Sequence, residues 1–167
     1  RPAARFWLDR GRAAPGPLDL GRVMALFRDW IAVLGLGAWR LDFEIDPGGE
    51  LREGVAMEVR RSDYHDRAVV TIAPWAVGEG DASATAPGIV DTTVSPDFIE
   101  GVIVHELLHL ALRDLVFTVH EWFAGRLPEG EFEMLGRVLH RAEEQTIDRL
   151  AAALVRSLGS TRERDAS

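Results

Sequence analysis

Between Leu18 and Leu34 the apolar residues Val23, Leu26, Phe27, Trp30, Ile31 and Leu34 recur at steps of three and four. That period marks one face of an α-helix, closed by the glycines at 35 and 37. The next stretch, AWRLDFEID, alternates apolar and polar positions and predicts a strand ending at Pro47-Gly48-Gly49. GVAMEVRRSDYHDRAVVTIAPW predicts two more strands around a turn over Ser62–Asp66, with Val69, Val70 and Ile72 the apolar part of the second. Residues 78–94 are rich in turn formers and read as a surface loop. Ser95-Pro96 has the form of an N-cap followed by proline in the first turn, opening a helix to about Leu115. Gly125 to Gly130 punctuates the chain before a long helix from about Glu131 to Leu158.

This order gives an α+β fold: an N-terminal helix, a small mainly antiparallel sheet, and two long helices. We expect one domain over residues 18–158, a flexible arm over 1–17 and a disordered tail over 159–167. The length of 167 residues, with 47% hydrophobic and 28% charged residues, suits a globular chain with a real core. There are no cysteines, so disulfides and thiolate metal sites are excluded. The net charge of −8 argues against nucleic acid as a partner, because neutralising phosphates needs clustered cations. No apolar run approaches the length of a membrane span, and the start of the chain lacks a signal core. The expectation is a cytoplasmic monomer.

The stretch GVIVHELLHLAL, from Gly101 to Leu112, sets three polar groups in aliphatic sequence. At 100° per residue His105 and His109 fall on one helix face, one turn apart, where both imidazoles can meet one ion. Glu106 lies beside that pair and can reach a metal-bound water as general base, the H-E-x-x-H arrangement. A core helix with histidines bonded to backbone or water is the plain alternative. Three unpaired buried polar groups would each cost about 1–3 kcal/mol, and one metal ion answers all three.

A catalytic zinc needs a third protein ligand. The metzincin continuation is absent, since Leu112 and Leu115 stand where its glycine and third histidine would be. In the last helix Glu144 and Asp148 are four apart on one face, beside Ile147, Ala151 and Leu154. HELLH followed by EEQTIDRLA resembles the gluzincins, the thermolysin-like zinc peptidases with a glutamate helix. It is also similar to compact phage and prophage relatives and to the ImmA/IrrE-type peptidases. The resemblance covers roughly residues 65–155. It implies a zincin-like fold and one catalytic Zn2+ held by His105, His109 and Glu144. It further implies that Asp148 orients one of the two histidines, and that Glu106 activates the zinc-bound water against a peptide or protein substrate. Glu143 is a rival to Glu144, being nearer the apolar stripe.

His120, in HEWF, resembles the third histidine of SprT-like zinc proteins. Tyr64, His120 and His140 are candidate donors to the oxyanion or proton donors, and His65 reads as a surface residue. In zincins the edge strand before the zinc helix pairs with substrate, a role that falls here to AVVTIAP. A zinc-binding regulatory module without proteolysis is the alternative function.

Overall fold

The computed structural model describes residues 19–52, 55–61, 66–77 and 96–165. The predicted arm over 1–17, the loop over 78–94, and the positions of Ser95, Tyr64 and His65 lie outside the described residues. Helix α1 spans Leu20–Val33. It starts at Asp19, whose carboxylate accepts from the Arg22 N–H at 2.8 Å and so satisfies an otherwise orphaned donor. It stops at Gly35, whose φ of +68° suits a residue without Cβ. There the Leu36 N–H reaches the Ile31 carbonyl (2.9 Å) and the Gly35 N–H reaches that of Ala32 (3.3 Å), a Schellman closure. Val23, Phe27 and Trp30, at i, i+4 and i+7, are fully buried.

Strands β1 (Arg40–Ile45), β2 (Met57–Arg61) and β3 (Arg67–Ile72) form one mixed sheet in the order β1-β3-β2. β2 and β3 are antiparallel, with Val59 opposite Val70. β1 and β3 are parallel, with Phe43 opposite Val70, which corrects the expected mainly antiparallel sheet. β3 is therefore the central strand, not the edge strand that the zincin analogy made of AVVTIAP. The reason is burial: Ala68, Val70, Thr71 and Ile72 are all but inaccessible, so both faces of the strand are covered. β1 instead alternates between exposed and half-buried positions. Its polar side pairs with that of β3, through Arg67 Nε to Asp42 Oδ2 at 2.6 Å and Thr71 Oγ1 to Glu44 Oε1 at 2.8 Å. On its other side Phe43 meets Phe27 edge-on, with ring centroids 5.1 Å apart, which seats α1 on the sheet.

β1 ends in the turn Asp46–Leu51. Asp46 Oδ1 accepts N–H bonds from Gly48, Gly49 and Glu50, and Oδ2 accepts one from Leu51. One carboxylate thus closes a turn whose backbone has no ladder to join.

Helix α2 runs over Pro96–Phe123, well past Leu115. Ile99, Ile103, Val104, Leu107, Leu108 and Leu110 are buried in its first half. Beyond them Leu112, Arg113, Val116, Val119 and Phe123 continue a half-buried stripe at helical spacing, so the helix persists after the apolar run ends. Gly125, at φ +72°, marks the turn that follows. Helix α3 spans Glu129–Asp165, through residues placed by sequence in a disordered tail. The Pro128 carbonyl accepts from the N–H groups of Glu131 and Phe132, and Glu129 and Glu131 suit the positive end of the helix dipole. No helix among the described residues is long and apolar enough to cross a membrane.

The chain gathers into two compact units that divide within α2, Arg1–Leu107 and Leu108–Ser167. In the first, Trp30 donates its indole N–H to Glu100 Oε1 at 2.8 Å, tying α1 to the start of α2. In the second, the rest of α2 and α3 form an antiparallel hairpin. His120 packs edge-on against Phe132 at 4.5 Å, and Gly136 lies against the same imidazole.

The four N–H donors, that of Glu50 first, hold the Asp46 carboxyl below its ordinary 3.8 despite its burial. A lowered folded value means that its stabilisation is present above the unfolded value and is lost as pH falls through the folded one. Asp46→Ala is therefore expected to lower the urea midpoint at pH 7. Its deficit relative to the unsubstituted protein should shrink as the pH is taken below about 4.

Candidate metal centre

The helix period sets the first part of the site. His105 and His109 are four residues apart on α2, about 6 Å along its axis, with both side chains half-buried. The second part comes from the α2–α3 hairpin. His109 Nδ1 lies 3.3 Å from Glu143 Oε1, and His109 Nε2 lies 3.3 Å from Glu144 Oε1. Two consecutive glutamates thus address the two nitrogens of one ring. An ionised carboxylate only accepts, so each of these contacts is a hydrogen bond only where the ring nitrogen carries the proton. A neutral ring carries one such proton, which leaves a lone pair on its other nitrogen facing a carboxylate oxygen. Only a further proton or a cation makes that approach favourable.

The spacing fits a cation. Donor atoms held about 2.0–2.1 Å from a tetrahedral ion are about 3.3 Å from one another. His105, His109 and Glu144 each offer one ligand atom, and these atoms all lie within 4.8 Å of one another. Among the described residues this group could hold a metal ion. Two neutral imidazoles and one carboxylate form a hard-to-borderline donor set of the kind divalent ions take.

Glu143 meets Nδ1 of the ring, and Glu144 meets Nε2. Glu143 is the more covered of the two, its side chain 16% exposed against 38% for Glu144. A carboxylate that fixes the tautomer of a ligand histidine and raises its basicity belongs in the protected position. Asp148 is itself engaged in a polar contact. It stands half-buried one turn beyond Glu144 on α3.

Glu106, the neighbour of His105, is half-buried, and its Oε2 accepts from the Val59 N–H of β2 at 3.1 Å. The strand therefore orients the carboxylate that the helix brings up. Nothing in the sequence pairs Val59 with Glu106, because a backbone donor leaves no trace in residue type. His140 is open to solvent, with its Nδ1 3.9 Å from Glu144 Oε1. His120 does not join the group: it lies eleven residues beyond His109, about 16 Å along the same helix, with its ring against Phe132. Tyr64 is outside the described residues. No family model, curated protein or solved structure matches the chain.

These roles separate by metal titration against a chromophoric chelator. Glu143→Gln, which loses only the support of His109, should weaken metal binding by about 10–100-fold. Glu144→Ala, which removes a donor atom, should weaken it further, with His109→Ala at least as severe.

Proposed function

We propose that the protein is a zinc-dependent peptidase of the gluzincin type, with His105, His109 and Glu144 holding the ion and Glu106 acting as general base. The observation that carries this reading is the convergence of two imidazoles and a carboxylate on one locus, with a fourth polar group oriented one residue along the same helix. Zinc is favoured over other ions by the ligand set, since two histidines and a glutamate leave a tetrahedral ion one open position. When bound, the ion supplies a Lewis acid that polarises a carbonyl and makes water a better nucleophile near neutral pH.

The chain's own residues do the rest. Glu106 takes a proton from the attacking water and returns it to the departing nitrogen as the C–N bond breaks, giving an acid and an amine. The Val59 N–H keeps that carboxylate aimed throughout. Glu143 supports His109, and Asp148, one turn beyond Glu144 on α3, orients one of the two ligand histidines. His140, at the exposed rim beside Glu144, is the donor best placed to meet charge developing on the substrate carbonyl.

β2 is an outer strand among the described residues, and the Val59 N–H on its outer edge is donated to Glu106. An extended peptide adding to that edge would bring its backbone up to Glu106 through main-chain hydrogen bonds. The acidic balance of the chain accords with a peptide, not a nucleic acid, as the partner.

Glu106→Gln keeps the shape of the side chain and removes its basicity. Peptide hydrolysis should fall by about 100- to 10,000-fold while the zinc content is unchanged, measured by elemental analysis beside a peptide-library assay. Unchanged hydrolysis would refute the role of Glu106, and zinc bound without any cleavage would mark a regulatory module instead.

A further inference from the structure

Arg113 follows His109 by one turn on α2, in the half-buried stripe of the hairpin. Its Nη1 is buried and meets no hydrogen-bond partner among the described residues. On the facing helix the carboxylates of Glu143 and Glu144 are engaged with His109. A guanidinium stays charged at every accessible pH and has only donors to offer. A buried charged donor without an acceptor costs folding free energy, and such a group in a protein calls for an explanation. A packing role does not supply one, because leucine or methionine would fill the space without the charge.

We propose that Arg113 binds the free α-carboxylate of a peptide substrate, so that the enzyme removes residues from the C-terminus. This inference rests on the peptidase reading of the adjoining metal group. Position supports it first. Arg113 stands one turn after His109, and side chains on a helix lean towards its N-terminus. Four residues of helix span about 6 Å, and one residue of extended peptide spans about 3.3–3.6 Å. From a carbonyl at the metal group to an anion at Arg113 there is room for one residue, or two at most.

Charge supports it next. The guanidinium fork matches a planar pair of oxygens, as in a carboxylate. Glu106, Glu143 and Glu144 stand close along the same helices, in a chain of net charge −8. A phosphate dianion would be repelled there more strongly than a single carboxylate. The one carboxylate that every unmodified peptide carries is its C-terminus.

The test uses the full-length Glu106→Gln protein loaded with zinc, and a short peptide prepared both as the free acid and as the C-terminal amide. By calorimetry the acid should bind at least about tenfold more tightly than the amide, the scale of one charged hydrogen-bonded contact. Adding Arg113→Met should abolish that preference with the zinc content unchanged. Arg113→Lys, which keeps the charge and loses the fork, should retain part of it, and thermal melting shows that each variant is folded. Equal binding of acid and amide, or a preference that survives Arg113→Met, overturns the inference. Wild-type protein that cleaves amidated peptides as fast as free acids also overturns it and leaves the peptidase reading standing. Absence of hydrolysis alongside an Arg113-dependent preference sinks the peptidase reading and keeps the carboxylate site.

Discussion

The site depends on one imidazole gripped from both sides. His109 gives Nδ1 to Glu143 and turns Nε2 towards Glu144, each at 3.3 Å. Both carboxylates only accept, so a neutral ring can donate to just one of them. The other contact calls for a positive charge between its atoms, and His105 lies close enough for the three side chains to be able to hold a metal ion there. Glu106, Asp148 and His140 take their meaning from that arrangement.

The scaffold explains how such a grip is held. α1 sits on the sheet through Phe27 and Phe43, and Trp30 fastens the early part of α2 by its bond to Glu100. β2 reaches the same helix at Glu106 through a backbone N–H. The first unit thus fixes where α2 starts and how it is rotated. Within the second unit His120, Phe132 and Gly136 keep α3 beside the remainder of α2. The polar side chains of the site are thus carried by elements anchored on buried apolar residues.

Much of this was legible in the chain, for physical reasons. α1 shows in the spacing of Val23, Phe27 and Trp30, because a helix that buries one stripe must repeat at that period. The strands show in alternation, and the HELLH face follows from helix geometry alone. What residue types could not show was partnership across the chain. The parallel pairing of β1 with β3 is a choice of neighbour, and β3's near-continuous apolar run was the available clue to a central strand. Glu143 and Glu144 are adjacent and chemically identical, and only the structure shows that one meets Nδ1 of His109 and the other Nε2. Arg113 interrupts the aliphatic sequence no more visibly than any surface arginine, and its buried nitrogen emerges only in three dimensions. The ends of α2 and α3 were missed because Leu115 and Gly159 look like stops, while the half-buried stripe of α2 and the helix of α3 run on.

The short connection over residues 124–128 has a consequence for how this protein can change. It sets the phase of the second long helix against the first. One residue gained or lost there, if taken up by the helix, would turn α3 by about 100° and slide it about 1.5 Å. Neither glutamate would then find its nitrogen. Insertions that a surface loop normally absorbs without harm would here part both glutamates from His109, and variation in loop length should be confined to other parts of the chain.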